Sequence, residues 1–382
     1  MTLKPPPGSR SGRSSQPPAL PHSRVAARLE KLRRRMAEAR VDLLLVSSLP
    51  NVHYLTGFTG SAGAVLMAPS KTLLFTDSRY DLQAHAEVKD SQVMIVKGDA
   101  LTAAAKWSRR SARRKGTRTG FESETVTYGA YRRLRELLAE QRLVAAAGWV
   151  ESLRIVKDEQ EIDELRKAVD AGSQAFLDTM KHLRAGTSEQ EAAAEIEYRM
   201  RLLGAEKPAF ETIVAFGDRS ALPHARPGDR RLRAGEFALF DLGAILNGYN
   251  GDMTRTVFLG NAPRQQARIY RAVLEAQLES EASVRAGVEC QEVDAAARRA
   301  LDRYGYTKYF THSTGHGVGV EIHELPRIAP KQRMQLPENA VITIEPGVYI
   351  PGVGGVRIED VVVVRKDGAE VLTKAPKELT VL

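Results

Sequence analysis

The sequence contains a single cysteine, Cys290, among 382 residues, which excludes an intrachain disulfide framework and a thiolate-based zinc cluster. It also lacks long apolar runs: stretches such as Val361–Val364 fall far below the roughly 18 apolar residues that a membrane-spanning helix needs. The first residues, Met1–Pro7, have no apolar core of the kind found in a signal peptide. We therefore expect a cytoplasmic protein without a membrane partner.

Acidic residues are outnumbered by basic ones, 47 against 56, which gives a formal net charge of +9. The excess is confined to two segments, because residues 1–40 carry +8 and residues 106–118 carry +7, leaving −6 on the rest of the chain. Between Arg109 and Lys115 no aromatic residue is available to stack on bases. The basic segment is therefore interpreted as a solvated face, and no nucleic-acid partner is expected.

Three segments of the chain differ in character. Residues 1–22 are rich in Pro, Ser, Gly and Arg and predict a disordered leader. Residues 23–157 alternate strand-like runs with helical periodicity, which predicts a small α/β domain. Residues 158–382 show two helix pairs, each followed by strands, which predicts an internally duplicated α+β domain. The expected strands cover residues 42–46, 64–67, 72–75, 212–216, 237–259, 318–323, 340–344 and 356–364.

Two aspartates occur in an apolar hairpin sequence. Residues 237–259 predict a β-hairpin that turns at Asn247-Gly248. We expect Asp241 and Asp252 to lie directly opposite each other in this hairpin. Like charges at opposed positions repel, so the pair predicts a cation between the two carboxylates.

Two glutamates repeat this pattern near the C-terminus. Glu345 and Glu359 flank the loop at residues 351–355 symmetrically, and each lies in a β-branched run where an unpaired carboxylate is costly. Four strand-borne carboxylates exceed what one divalent ion normally takes. Two metal ions that share bridging carboxylates satisfy the four acids better.

Histidines are clustered in the same part of the chain. Three of the eight, His312, His316 and His323, fall within twelve residues. Glycines flank His316 and are expected to let the backbone approach a metal centre closely. The clustering and the acids together favour His316 as a metal ligand over a hydrogen-bonded core histidine. His224 lies in a loop-like segment, where a substrate-facing role and an exposed loop residue are equally consistent with the spacing.

The order of these motifs resembles one family, the pita-bread dinuclear metallopeptidases, in its branch of Xaa-Pro aminopeptidases and Xaa-Pro dipeptidases (prolidases). The resemblance rests on Asp241, Asp252, Gly315-His-Gly317, Glu345-Pro-Gly347 and Arg357-Ile-Glu-Asp360. Residues 51–58 and 75–80 look like the creatinase-type N-terminal domain of that branch. The resemblance implies that residues 23–157 form this domain and that residues 158–382 form the pita-bread catalytic domain.

By the same resemblance, the metal ligands are Asp241, Asp252, His316, Glu345 and Glu359, with Asp252 and Glu359 bridging two ions. The ions usual in the family are manganese, cobalt and zinc, and the carboxylate-rich ligand set with one imidazole favours Mn²⁺. The implied reaction is peptide hydrolysis by a hydroxide that bridges both ions.

The resemblance also assigns roles around the metals. Glu345 passes the proton of the nucleophile towards the leaving group, and His224 and His323 are catalytic histidines on the substrate side. His312 lines the substrate pocket. Arg357 lies two residues before a ligand in alternating register, so we expect it to share that face and to steer the ligand or the substrate.

The main functional hypothesis is an aminopeptidase that removes the residue before a penultimate proline, acting as a homodimer. A prolidase restricted to dipeptides is the alternative. Such enzymes usually have a longer loop before the Glu-Pro-Gly motif, with an arginine for the substrate carboxylate. Here only 22 positions separate His323 from Glu345, with Lys331 and Arg333 as basic candidates, which favours the aminopeptidase. A non-catalytic pita-bread binding module is a remote alternative, because the five metal-ligand positions are intact.

Overall fold

The computed structural model describes residues 22–112 and 115–381. The leader predicted over residues 1–22 lies outside this range except for its last residue, where the first helix begins. The helices are α1 (His22–Glu38), α2 (Leu49–Thr56), α3 (Asp81–Glu87), α4 (Ala100–Ser111), α5 (Tyr128–Leu137), α6 (Glu151–Arg154), α7 (Glu159–Met180), α8 (Glu189–Leu202), α9 (Arg264–Ser283) and α10 (Cys290–Arg303). Short 3₁₀ turns occupy Ser78–Tyr80, Gly217–Ala221 and Thr307–Tyr309.

The strands of the N-terminal domain are β1 (Leu43–Val46), β2 (Ala64–Met67), β3 (Thr72–Asp77), β4 (Gln92–Val96), β5 (Arg118–Phe121) and β6 (Arg142–Ala145). The strands of the C-terminal domain are β7 (Lys207–Pro208), β8 (Ile213–Phe216), β9 (Glu236–Leu242), β10 (Ala244–Leu246), β11 (Tyr249–Asn250), β12 (Met253–Leu259), β13 (Gly315–Gly317), β14 (Glu324–Ile328), β15 (Val341–Ile344), β16 (Gly347–Ile350), β17 (Gly354–Arg357), β18 (Asp360–Arg365) and β19 (Gly368–Val371).

The N-terminal domain is built on a mixed sheet with the strand order β4-β3-β2-β1-β5-β6. Every residue of β1 and β2 is buried, and such continuous apolar strands need cover on both faces of the sheet. Helices α1 and α2 pack on one face, and α4 and α5 pack on the other. The predicted α/β organisation is therefore confirmed.

The C-terminal domain contains the predicted duplication. Helices α7 and α8 bury their apolar faces against the sheet β12-β9-β8, and α9 and α10 pack mainly against strands of the second half. Ser188 and Glu191 form a capping box at the start of α8, and α7 begins with the equivalent pair Asp158 and Glu161. The halves meet where the backbone N–H of Glu359 donates to the Thr254 carbonyl at 3.1 Å.

Two predicted strands are wrong in detail. Residues 318–323 form an irregular loop, because a register shift after His316 ends strand β13 at Gly317. The strand predicted over residues 356–364 is interrupted after Arg357, since β17 pairs with β16 whereas β18 pairs with β15. Glu359 lies in this interruption, where the chain passes from one sheet to the other.

Buried ion pairs join the two domains. The Arg28 guanidinium of α1 lies 2.9 Å from the Glu161 carboxylate of α7, and both side chains are about 95% buried. Arg24 donates to Asp158 at 3.0 Å beside this pair. Removing one partner of such a pair would leave an uncompensated buried charge, so the contacts fix how the domains dock.

Among the described residues, none of the helices is long and apolar enough to cross a bilayer.

Candidate active site

A cleft of about 1110 Å³ lies between the N-terminal domain and the sheets of the C-terminal domain. Residues Ala147, Gly148 and Glu151 form part of its N-terminal wall. All the side chains that the sequence analysis singles out as site residues line this cleft. They are His224, Asp241, Asp252, His312, His316, His323, Glu345, Arg357 and Glu359.

The two aspartates of the hairpin are not directly opposed, contrary to the prediction. Asn247 and Gly248 both have positive φ, 48° and 77°, as a two-residue type I′ turn requires. This turn pairs Asp241 with Thr254, so Asp252 is a diagonal neighbour of Asp241. Diagonal neighbours lie roughly 7–8 Å apart between Cα atoms, which is still within reach of a shared ligand.

The register confirms the predicted opposition of the two glutamates. Ile344 pairs with Asp360 on one side and Gly347 pairs with Arg357 on the other. Counting inwards from both pairs places Glu345 opposite Glu359. The Glu359 carboxylate accepts a hydrogen bond from the Thr254 hydroxyl at 2.7 Å, which ties it to the strand that follows Asp252.

His316 projects from β13 towards these acids. Its Nε2 lies 3.6 Å from Asp252 Oδ2 and 3.5 Å from Glu345 Oε1. Its Nδ1 lies 3.0 Å from the Gly317 carbonyl, so a proton on Nδ1 leaves the Nε2 lone pair directed at the carboxylates. Burial lowers the pKa of His316 to about 4, which keeps the imidazole neutral at pH 7.

The glycines beside His316 act differently from the prediction. A Cβ atom on Gly315 would lie 1.9 Å from the Thr343 carbonyl oxygen, and one on Gly317 would lie 2.2 Å from that of Leu325. Neither distance is compatible with a side chain. The glycines therefore let β13 approach its neighbouring strands, and this close packing brings His316 to the acids.

The acidic cluster is electrostatically strained without a cation. Burial raises the pKa of Asp252 and of Glu359 well above their usual values, and the neighbouring carboxylates raise them further. Burial likewise raises the pKa of Glu345 to about 7. The ligand atoms of Asp252, His316 and Glu359 all lie within 4.8 Å of one another. Buried carboxylate oxygens and a neutral imidazole nitrogen in this arrangement fit a divalent metal ion.

Binding of Mn²⁺ at pH 7 should release protons, because burial raises the pKa of Glu345 to about 7 and its carboxyl is then partly protonated before the ion enters. His316 should contribute none, since its pKa is about 4. Lowering the pH should weaken the apparent affinity, because more protons must then leave. Calorimetric titrations in two buffers of different ionisation enthalpy measure this release. Identical apparent binding enthalpies in both buffers would contradict the expectation.

Arg357 bridges the two halves of the cluster. Its guanidinium contacts the Asp241 carboxylate, donates to the Thr254 hydroxyl at 3.0 Å and donates to the Tyr349 hydroxyl at 2.7 Å. His312 Nε2 lies 2.9 Å from the same tyrosine hydroxyl. Burial lowers the pKa of His312 to about 4. These contacts favour the predicted steering of a ligand, Asp241, over direct contact between Arg357 and a substrate.

His224 and His323 are exposed on loops that border the cleft. The His323 ring lies 4.4 Å from the His316 ring, centroid to centroid, in an edge-to-face arrangement. Burial lowers the pKa of His323 below its usual value. Both side chains are thus accessible from the cleft, as the prediction of substrate-side histidines requires.

A buried polar network supports the cluster from behind. Arg255 donates to the Glu359 carbonyl at 2.6 Å and to the Asp360 carboxylate at 2.6 Å. The other Asp360 oxygen lies 2.6 Å from the Lys377 ammonium. Arg255 also donates to the carbonyl oxygens of Ala375 and Pro376. The segment near the end of the chain is thereby held against the backbone of Glu359.

Two buried residues that contact the site, and one residue that lines the cleft, escaped the sequence analysis. Tyr349 follows Gly347 by two positions, so strand alternation could have placed it on the face of Arg357. Thr254 follows Asp252 in the same way. Arg327, which lines the cleft, pairs with His316 in the register between β13 and β14. Only the position of β14 could reveal Arg327, and the sequence analysis predicted no strand there.

The comparisons with known proteins identify both domains. Residues 163–366 match the model of metallopeptidase family M24, and residues 28–156 match that of the creatinase/prolidase N-terminal domain. The chain is 38% identical to the Xaa-Pro dipeptidase of Pyrococcus furiosus over 92% of its own length and 99% of the relative.

Solved structures give the same result. The chain superposes on an Xaa-Pro dipeptidase from Bacillus anthracis with a TM-score of 0.89 and 37% identity, over 94% of this chain and 100% of the other. The chain superposes on an X-Pro aminopeptidase from Thermotoga maritima with a TM-score of 0.86 and 36% identity, over 93% of this chain and 99% of the other. The creatinase-type N-terminal domain and the pita-bread catalytic domain are thus confirmed. The chain belongs to metallopeptidase family M24.

Proposed function

We propose that this protein is an Xaa-Pro dipeptidase, which hydrolyses the bond before proline in dipeptides. The first support is the similarity to Xaa-Pro dipeptidases from Pyrococcus furiosus and Bacillus anthracis along almost the whole of each chain. This proposal replaces the aminopeptidase as the main hypothesis. The short interval between His323 and Glu345, which favoured the aminopeptidase, contains an arginine that the sequence analysis did not consider.

Arg327 is the observation that carries the proposal. It is exposed in the cleft and is the pairing partner of His316, whose ring points at the acidic cluster. Within residues 22–112 and 115–381, no carboxylate lies within 4.0 Å of its guanidinium, so it can bind the carboxylate of a ligand. By contrast, neither Lys331 nor Arg333 lines the cleft, and Lys331 borders a separate surface depression.

The cluster of Asp241, Asp252, His316, Glu345 and Glu359 is proposed to hold two divalent ions, most simply Mn²⁺. Two ions would balance four carboxylates that otherwise repel one another in a buried site. Such ions supply a hydroxide at neutral pH and polarise the scissile carbonyl.

We place the domain boundary at residues 157–158, between the segments that match the two family models.

The remaining side chains bind the dipeptide and move its protons. Glu345 lies in a buried position where its carboxyl can exchange a proton near neutral pH, as transfer to the leaving proline nitrogen requires. His224 and His323 orient the scissile bond from the cleft loops. The neutral ring of His312, packed against Tyr349 and Phe310, offers an uncharged surface for the proline ring. Arg327 holds the proline carboxylate.

An Xaa-Pro aminopeptidase that accepts longer peptides is the second candidate. It is supported by the similarity to the X-Pro aminopeptidase from Thermotoga maritima. The cleft volume of about 1110 Å³ also exceeds the space that a dipeptide fills. The two candidates share the same catalytic cluster and differ only in whether the substrate must end at proline.

Replacing Arg327 by alanine should raise KM for Xaa-Pro dipeptides by about 10–100-fold, because a charge-assisted hydrogen bond contributes roughly 1.5–3 kcal/mol. Xaa-Pro amides, which lack the carboxylate, should be poor substrates of the wild-type enzyme. Arg327→Ala should therefore change the kinetics on the amides very little. Steady-state kinetics on both substrates measure the preference for the free carboxylate over the amide. Arg333→Ala is the matched control and should leave this preference unchanged.

Two outcomes would contradict the dipeptidase proposal. In one, Arg327→Ala keeps the wild-type preference for a free carboxylate over the amide. In the other, the wild-type enzyme cleaves Xaa-Pro-Xaa-Xaa as fast as Xaa-Pro at equal concentration, which would establish the aminopeptidase.

A further inference from the structure

We infer that Arg154 is a positioning residue through which the N-terminal domain fixes the loop that carries His323. The inference rests on the proposed role of His323 on the substrate side of the cluster. Arg154 ends helix α6, the last helix of the N-terminal domain. The loop, residues 318–323, belongs to the C-terminal domain and connects strand β13 with β14. It is called the His323 loop below.

The guanidinium of Arg154 is fully engaged. It donates to the amide oxygen of Asn51 at 2.8 Å, within its own domain. Towards the other domain it donates to Glu321 Oε2 at 2.7 Å and to Glu324 Oε1 at 2.5 Å. Arg154 borders the cleft, but only 2% of its side chain is exposed, and all three guanidinium nitrogens donate to protein acceptors. Its contacts are suited to holding structure and not to binding a ligand.

Glu324 is the receiving group at the end of the His323 loop. Its side chain is 4% exposed and also lies 3.2 Å from the Lys157 ammonium of the segment between the domains. The same carboxylate accepts the backbone N–H of Glu321 at 3.0 Å, which closes the loop on itself. A Cβ atom at Gly319 would lie 2.6 Å from this carboxylate. The loop is therefore folded around one buried anion.

The loop has further anchors in both domains. Val320 packs against the apolar core formed by α1, α2 and the inner strands of that domain. The other anchors belong to the C-terminal domain: Val318 is fully buried in the core beneath α7, and the Asn250 amide donates to the carbonyl oxygens of Gly319 and Val320 at 2.9 Å each. His323 itself makes no hydrogen bond within the described residues. Its place in the cleft therefore depends on the loop that carries it.

These contacts couple the docking of the domains to the geometry of the active site. Without the Arg154 guanidinium, Glu321 and Glu324 would face each other with only Lys157 to neutralise them. Two carboxylates left in that position repel, and the buried one must find solvent or another partner. We expect the loop to shift and His323 to lose its position, whereas the proposed metal ligands lie outside residues 318–323.

The test combines Arg154→Met with His323→Ala. Arg154→Met should lower kcat on Xaa-Pro dipeptides by about 10–100-fold, as a small misplacement of a positioned group does, with metal content unchanged. In the His323→Ala background the same substitution should change kcat less than twofold, because its effect passes through His323. Arg154→Lys keeps the charge but not the forked geometry, so it should show a smaller loss of kcat. It serves as the test variant if the methionine variant folds poorly.

Arg28→Met is the matched control, because Arg28 makes an equally buried interdomain ion pair, with Glu161, that does not border the cleft. It should lower the melting temperature as much as Arg154→Met does while leaving kcat within twofold of wild type. The inference would be overturned if Arg154→Met lowered kcat equally in the wild-type and His323→Ala backgrounds. It would also be overturned if Arg28→Met lowered kcat as much as Arg154→Met does. Full activity of His323→Ala would overturn the proposed role of His323 first, and the inference with it.

Discussion

Replacing Glu359 by glutamine should abolish peptidase activity, with a loss of at least about a thousandfold in kcat. The substitution keeps the size of the side chain but removes a charge from a cluster proposed to balance two cations. The several kcal/mol that a metal centre contributes to the transition state should then be lost. Asp252→Asn should have the same effect, because Asp252 lies within 4.8 Å of the same ligand atoms.

Metal content and activity should be measured together for these variants. Atomic absorption after Mn²⁺ reconstitution should give two ions per chain for the wild type and fewer for Glu359→Gln. The matched control is Glu370→Gln, an acid on strand β19 that pairs with Arg365 outside the cleft. Near-normal turnover of a folded Glu359→Gln protein would show that the ligand assignment is wrong.

Alanine in place of His323 or His224 should lower kcat by about 10²–10⁴, as expected when a positioned proton donor is removed. The two variants should keep their full metal content, because neither imidazole belongs to the group of close ligand atoms around His316. Steady-state kinetics on an Xaa-Pro dipeptide, paired with metal analysis, separate a catalytic histidine from a ligand.

His85→Ala is the control for the histidine variants, since His85 is an exposed residue of helix α3 that does not border the cleft. It should keep wild-type kinetics. Loss of metal from His323→Ala or His224→Ala would assign that side chain to the metal cluster instead. Wild-type turnover of either variant would remove that histidine from the catalytic scheme.

Much of the site could be predicted because several of its residues lie on strands or directly beside them, where the side chains have a regular period. The opposition of Glu345 and Glu359 follows from counting outwards from one loop, and the pairs on both sides of them agree. The same counting placed Asp241 opposite Asp252 wrongly, since that pairing needs a turn centred between Leu246 and Asn247. The positive φ angles at Asn247 and Gly248 confirm the turn at the predicted residues, and a turn there pairs Asp241 with Thr254, so the error was in counting the register.

The rest depends on contacts between segments that are distant in the chain. Arg327 enters the cleft because β14 pairs with β13, and this register includes a shift after His316 that no local pattern reveals. Arg154 and Glu324 are separated by 170 positions, so their pairing appears only once the domains are docked. Local periodicity thus identified the acids and histidines, whereas the residues that position them required the tertiary structure.

The network of Arg255, Asp360 and Lys377 has a practical consequence for handling this protein. Residues 375–377 supply two carbonyl oxygens and an ammonium group to the support behind Glu359. A protease that trims the chain before Ala375 would therefore damage the enzyme without touching the cleft.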